Sequence, residues 1–280
     1  VRTIAVTNHK GGSTKTTTTV NLGAALAELG RRVLVIDLDP QGSATSWLGA
    51  ADAEYGVIDA ILGRASLAHL VYETTAPGLV IVPASPALVT SDPGGETEIA
   101  LGFMRAMERL PAIWDYVFVD CAPSLGYLGV APLAACQEAI VPVEAHVLAM
   151  AGLTSLLETM ARIKVRLNPD LRLSAVLAAR VNRTAHARAV VERLGARFPD
   201  TFLHTQIRES IRLAEAPSFR LPITLYAPTS AGAIDYRAAA LEVAARDAGR
   251  SPSPTVEVLA TPGEDGMANR LGRLIGLGRR

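Results

Sequence analysis

The chain has 280 residues, 49% of them hydrophobic and 19% charged, with 27 basic and 27 acidic side chains and a formal net charge of zero. That length fits one α/β domain of about 250 residues plus a tail, and the balanced charge excludes a global field, so any nucleic-acid binding must come from a local patch. There is no charged-then-apolar leader and no apolar run near the ~18 residues a membrane span needs, so a soluble, cytoplasmic protein is expected. Cys121 and Cys136 fall in apolar segments and read as buried, reduced thiols rather than a disulfide or a metal pair.

The run Ile4-Ala5-Val6 reads as a strand, and a helical pattern through Val20, Leu22, Leu26 and Leu29 starts near Lys15 and stops at Gly30. Between them lies Asn8-His9-Lys10-Gly11-Gly12-Ser13-Thr14-Lys15-Thr16-Thr17. A strand-loop-helix junction with glycines, a lysine and a hydroxyl makes a phosphate cradle, because the glycines let backbone N–H groups close on an anion at a helix N-terminus. Lys15 would reach the β- and γ-phosphates and Thr16 would offer its hydroxyl to Mg²⁺. The plain pattern G-x-x-x-x-G-K-[ST] fails here, since its glycine positions fall on His9 and Thr14, and the bland alternative is a polar turn that caps a helix. Against that alternative, the chain has three lysines, Lys10, Lys15 and Lys164, and two sit in this loop, as expected where a compact charge meets phosphate.

Further along, residues 33–36 form a continuous apolar run suited to a strand buried on both faces, ending in Asp37-Leu38-Asp39-Pro40-Gln41-Gly42. Carboxylates at the end of a parallel strand point into the crevice where open α/β sheets bind ligands; the alternative, an acid that caps the turn before Pro40, suits Asp37 better than Asp39. Residues 79–84 read as a strand, 91–95 as a loop and 99–110 as a helix; 116–119 are apolar and end at Asp120, a carboxylate for the Mg²⁺ shell opposite Thr16. Then follow a strand over 139–143, a helix over 148–167 stopped by Asn168-Pro169, a strand over 173–181, a helix from Ala185 and a closing helix over 231–248. The alternation predicts a doubly wound, mainly parallel sheet with helices on both faces over residues 1–248. Residues 249–265 read as a linker, and 267–280 as a short basic tail.

Four stretches carry a resemblance. Lys10-Gly11-Gly12-Ser13-Thr14-Lys15-Thr16-Thr17 resembles the deviant Walker A loop of the ParA/MinD family of ATPases, K-G-G-V-G-K-T-T, departing from it at Ser13 and Thr14. Asp37 to Gly42 resembles the family's D-x-D-P-Q-G, Asp120 to Gly126 its D-C-P-P-S-L-G, and Ile207 to Ser218 its I-P-R-N-V-R-L-S-E-A-P-S. The resemblance covers roughly residues 2–248, and its motifs stand in the family's order. It implies a P-loop NTPase fold of the deviant Walker A type, with ATP and Mg²⁺ as cofactors. The nucleotide would be held by Lys10, Gly11, Gly12, Ser13, Thr14, Lys15, Thr16 and Thr17, and the metal by Thr16, Asp39 and Asp120. The resemblance also implies that Lys10 reaches across a nucleotide-sandwiched homodimer and that Asp39 positions the attacking water. It places an adenine contact near Asn182, which could equally cap the following helix. At Thr14 a glycine would adopt positive φ freely; a threonine there is strained, unless the loop takes a conformation that suits it.

Among ParA/MinD proteins the chain is most similar to the ParA/Soj-type partition ATPases of chromosomes and plasmids. Such a protein would dimerise on ATP, bind double-stranded DNA without sequence preference on the nucleoid, and release it when a ParB-like activator with a basic N-terminal segment stimulates weak hydrolysis. Between Arg180 and Arg220 there are eight arginines against four acids. Arg183 and Arg212 fall on family motif positions and are the expected DNA contacts, with Arg208 next. A departure is Ala227-Pro228-Thr229-Ser230-Ala231-Gly232 where the family often has D-P-R-S-R-G. A MinD-like membrane-cycling ATPase would need the tail as an anchor, which Gly272, Gly276 and Gly278 make a poor helix, so membrane binding is not expected. A nucleotide-binding scaffold with little turnover is the third reading.

Overall fold

In the computed structural model the described residues are 1–246, apart from 11, 13, 86, 91–95, 124–125 and 146–148. The apolar runs become the strands β1 (Arg2–Val6), β2 (Val33–Asp37), β3 (Tyr72–Glu73), β4 (Leu79–Val82), β5 (Tyr116–Asp120), β6 (Glu138–Glu144) and β7 (Arg172–Ala179) of one sheet, in the order β3-β4-β2-β5-β1-β6-β7. All pairs are parallel except β3 with β4. The helices are α1 (Lys15–Glu28), α2 (Ser43–Trp47), α3 (Val57–Ile61), α4 (Ala87–Thr90), α5 (Glu96–Glu108), α6 (Tyr127–Ala135), α7 (Ala149–Arg166), α8 (Ala185–Arg197), α9 (Ile211–Glu215), α10 (Ile223–Tyr226) and α11 (Ala231–Ala245).

The side-chain period of two sends successive strand residues to opposite faces. Leu34 and Ile36 of β2 join one core with Phe103, Leu133, Leu156 and Leu194, whereas Val33 and Val35 join the other with Leu22, Leu26, Trp47 and Tyr236. Helices α3, α5, α6, α7 and α8 therefore cover one face, and α1, α2 and α11 the other. The sheet is buried on both sides, as its unbroken apolar runs require. The short edge strand β3 and the small helices α9 and α10 lack the length to show a period, and sequence patterning did not reveal them.

The two ends of the sheet differ in what they do with charge. At the N-terminal edge Glu138, fully buried, accepts hydrogen bonds from Arg2 (2.6 Å) and Arg172 (2.7 Å), a closed structural cluster. At the C-terminal edge the register sets Val6 and Asp37 beside Asp120, and Glu144 beside Ala179. Of these acids, Asp120 meets Thr16 and Thr19 of α1, Glu144 meets Lys10 of the loop before it, and Asp37 meets Thr45 of α2. The tail beyond residue 246, where a linker and a basic segment are expected, lies outside the described residues.

Candidate functional site

Asn8 fixes the start of the loop: its Nδ2 donates to the Pro142 carbonyl (2.8 Å) and its Oδ1 accepts from the Lys10 N–H (3.1 Å). The loop is thereby tied to β6 before it turns. Gly12 takes φ 74°, and a Cβ there would meet nothing within 4 Å. Thr14, the residue before α1, sits at φ 63°, ψ 19°, in the left-handed region. The strained alternative at this position is thus the one the chain adopts, at an intrinsic cost of about 1–2 kcal/mol for an L-residue with a Cβ. Thr14→Gly is expected to raise the melting temperature of the nucleotide-free protein by about 2–4 °C, the equivalent of about 1 kcal/mol for a chain of this size; an unchanged or lower melting temperature in scanning calorimetry counts against strain at Thr14. Gly11 and Ser13, also expected to hold phosphate, lie outside the described residues.

Helix α1 has no acidic side chain in its first turn, so its N–H groups and positive dipole end stay available to an anion. Lys15 is 7% exposed. One turn of the helix wraps the buried Asp120: Thr16 Oγ1 donates to Asp120 Oδ2 (2.7 Å) and Thr19 Oγ1 to Asp120 Oδ1 (3.1 Å). Thr19 was not singled out from the sequence, although its place four residues after Lys15 puts it on the same helix face.

The neighbouring acids divide their work. Asp37 is saturated by backbone and hydroxyl donors, with Asp39 N on Oδ1 (3.1 Å) and Thr45 N and Oγ1 on Oδ2 (2.8 and 2.7 Å), so it pins the turn and α2, the capping role. Asp39 accepts from Gln41 N through Oδ1 (3.0 Å) and lines the cleft. Burial, and then the charge of Asp37, push the Asp120 carboxyl above the usual range; burial likewise raises Asp37. Burial also lowers Lys15, an effect opposed by the charge of Asp120. Both groups are short of counter-charge, which phosphate beside Lys15 and a divalent cation beside Asp120 would supply. The donor set fits Mg²⁺, a hard cation that takes few protein oxygens and completes its shell with phosphate and water; among the described residues no group of three or more His, Cys, Asp or Glu is placed to hold a metal ion.

Lys15, Thr16 and Thr17 open into a cleft of about 950 Å³, whose other wall is Ile207, Arg208, Glu209, Ser210 and Ile211, with Arg180 beside them. Asn182 is outside this lining. Its Oδ1 accepts from Thr184 N (3.2 Å) and Oγ1 (2.7 Å), and it is Thr184, accepting from Ala187 N, that caps α8, so Asn182 steadies the cap rather than forming it. The wall at 207–211 was read from sequence as a motif without a structural place.

The three arginines expected to meet DNA are held differently. Arg208 is clamped on Asp235 of α11 through its backbone N (2.9 Å), Nε (3.0 Å) and Nη2 (2.7 Å), a structural tie. Arg212 donates to Glu215 (2.9 Å) while remaining 61% exposed. Arg183 is exposed, and among the described residues it makes no ion pair. Lys10 is partly exposed, with Nζ 3.5 Å from Glu144 Oε2.

Residues 1–173 match the family model described as AAA domain. Over 248 residues the chain is 44% identical to the chromosome-partitioning ATPase Soj of Thermus thermophilus, covering 88% of this chain and 96% of that one. It belongs to the ParA/Soj family of chromosome-partitioning ATPases. The sporulation initiation inhibitor protein Soj of Bacillus subtilis is 41% identical over 251 residues, 86% of this chain and 98% of its own length. A solved structure of a protein designated cobyrinic acid a,c-diamide synthase, from Mycobacterium smegmatis with bound ADP and magnesium, superposes with a TM-score of 0.73 at 33% identity, covering 94% of this chain and all of that one. ParA/Soj membership agrees with the deviant loop, the mainly parallel sheet and the carboxylates at its C-terminal edge. Among the described residues no helix is long and apolar enough to cross a membrane.

Proposed function

We propose that this chain is a DNA-partitioning ATPase that binds ATP and Mg²⁺ at the α1 loop, closes into a nucleotide-sandwiched homodimer, binds DNA without sequence preference and lets go when a ParB-like partner stimulates hydrolysis. The observation that carries the reading is the Thr16–Asp120 hydrogen bond beside buried Lys15 at the open N-terminus of α1. Lys15 and the α1 amides hold the β- and γ-phosphates, and Gly12 gives them close approach. Thr16 and Asp120 hold Mg²⁺, which when bound neutralises charge developing on the transferred phosphoryl group. Asp39 aligns the attacking water. Lys10 leaves its own subunit to serve the partner's nucleotide.

Phosphate release from Mg-ATP, measured with and without DNA and a basic activator peptide, tests the reading; turnover that neither addition changes is incompatible with a partition cycle. For the DNA footprint, Arg183→Glu and Arg212→Glu are expected to weaken ATP-dependent binding about equally for unrelated duplexes. Each should also reduce the slope of log K against log salt by about 1, because phosphates rather than bases are met. Arg208→Glu should instead lower thermal stability, since it replaces the guanidinium against buried Asp235 with a second negative charge. Binding by both exposed-site variants that matches the parent at low salt moves the footprint elsewhere.

A further inference from the structure

At the C-terminal edge of β6 and β7 four alternating charges run in line. Lys10 Nζ lies 3.5 Å from Glu144 Oε2, Arg180 Nη1 donates to Glu144 Oε1 (3.1 Å), and Arg180 Nη2 lies 3.5 Å from Glu209 Oε1. Glu144 is the hub, with a side chain 14% exposed against 43% for Lys10. Arg180 stands at φ 50°, a left-handed conformation that an arginine adopts only where its surroundings insist. Those surroundings are on both sides of it: Ala145 N donates to the Ala179 carbonyl (3.2 Å), and Val181 pairs with the segment 207–209 through Val181 N to Ile207 O (3.0 Å) and Glu209 N to Val181 O (3.1 Å). The backbone is therefore set so that the guanidinium falls between Glu144 and the cleft wall.

Resting on the reading that Lys10 serves the partner's nucleotide, we infer that Glu144 is a latch that keeps Lys10 on its own subunit, and that Arg180, competing for the same carboxylate, sets the latch's strength. Lys10 cannot cross to a second subunit while it stays paired with Glu144, so each closing event must break this pair. Sharing the carboxylate keeps the pair weak enough to break. Glu144 and Arg180 are positioning residues here, acting through Lys10.

The pair is partly exposed, so breaking it shifts an equilibrium by up to about fivefold per subunit, and a dimer breaks two. Sedimentation in a saturating non-hydrolysable ATP analogue gives the protein concentration at which half is dimeric. Glu144→Gln is expected to lower that midpoint by about twofold to twentyfold, while Arg180→Ala raises it. The double variant should match Glu144→Gln alone, because Arg180 acts through Glu144. A purely structural role for Glu144 predicts the opposite sign, a raised midpoint, and that result or an unchanged one overturns the latch, as does a double variant that differs from Glu144→Gln. Lys10→Gln separates the two ideas. If it dimerises like the parent, the shared-site reading itself fails and the latch with it; if it stays monomeric while Glu144→Gln has no effect, only the latch is wrong.

Discussion

Lys15→Ala is expected to weaken nucleotide binding by about 30-fold to 4,000-fold, whereas Lys10→Gln stays within about threefold of the parent and loses the ATP-dependent dimer. The two lysines differ in burial before any ligand arrives: Lys15 is 7% exposed and neighbours Asp120, and Lys10 is held at the surface by Glu144. Losing one member of a buried, charge-assisted contact costs about 2–5 kcal/mol, and each 1.4 kcal/mol is a decade in affinity. An exposed charge that meets phosphate only after two subunits close contributes little to binding by the monomer. Titration with a fluorescent nucleotide at low protein concentration, followed by sizing at high concentration, reads the two effects apart. Equal loss of affinity in both variants would falsify the division of labour between them. Thermal melts should change little, because the apo fold gains nothing from a desolvated ammonium at Lys15.

What the sequence made legible is what is local. The strands 33–36, 79–82 and 116–119 are apolar without interruption, so their burial could be read directly, and Asp37 and Asp120, which end the first and the last of them, mark the edge of the candidate site. The loop from Asn8 to Thr17 could be singled out because its glycines, lysines and hydroxyls are consecutive in the chain. Relations between distant segments were hidden. Glu144 and Arg180 meet only because β6 and β7 pair, across 36 residues of chain, and no spacing rule connects them. The same holds for Arg208 and Asp235, 27 residues apart, where an arginine ranked next among the expected DNA contacts is tied between the cleft wall and α11. Asn182 was a candidate cap for the helix from Ala185, but Thr184 takes that place and Asn182 accepts from Thr184 instead. The conformation of Thr14 needed the structure, since a threonine in a glycine position is compatible with either a relaxed or a strained turn.

Asp39→Ala is expected to lower kcat for ATP hydrolysis by about 100-fold to 10,000-fold, with ATP affinity within about threefold of the parent, and so to accumulate an ATP-bound dimer that stays on DNA. The geometry separates Asp39 from the groups that hold the nucleotide. Asp120 is engaged by Thr16 and Thr19, and Asp37 by Thr45 and the Asp39 backbone, and of these three acids it is Asp39 that lines the cleft. The one hydrogen bond to the Asp39 side chain among the described residues, from Gln41 N, costs about 1 kcal/mol to remove, too little to unfold the turn that Asp37 already fixes. A carboxylate that positions or deprotonates water acts mainly in the transition state, and losing it lowers kcat by about 10²–10⁴-fold while ground-state binding persists. Asp39→Asn keeps the bond from Gln41 N and removes the charge, so it should share the kinetic defect with less effect on stability. Asp37→Ala should do the reverse, because it strips acceptors from Thr45 and from the Asp39 N–H inside the fold and should show chiefly as a lower melting temperature. Single-turnover phosphate release beside nucleotide titration decides the matter: parental release by the Asp39 variants removes this carboxylate from the chemistry and leaves it as a turn residue.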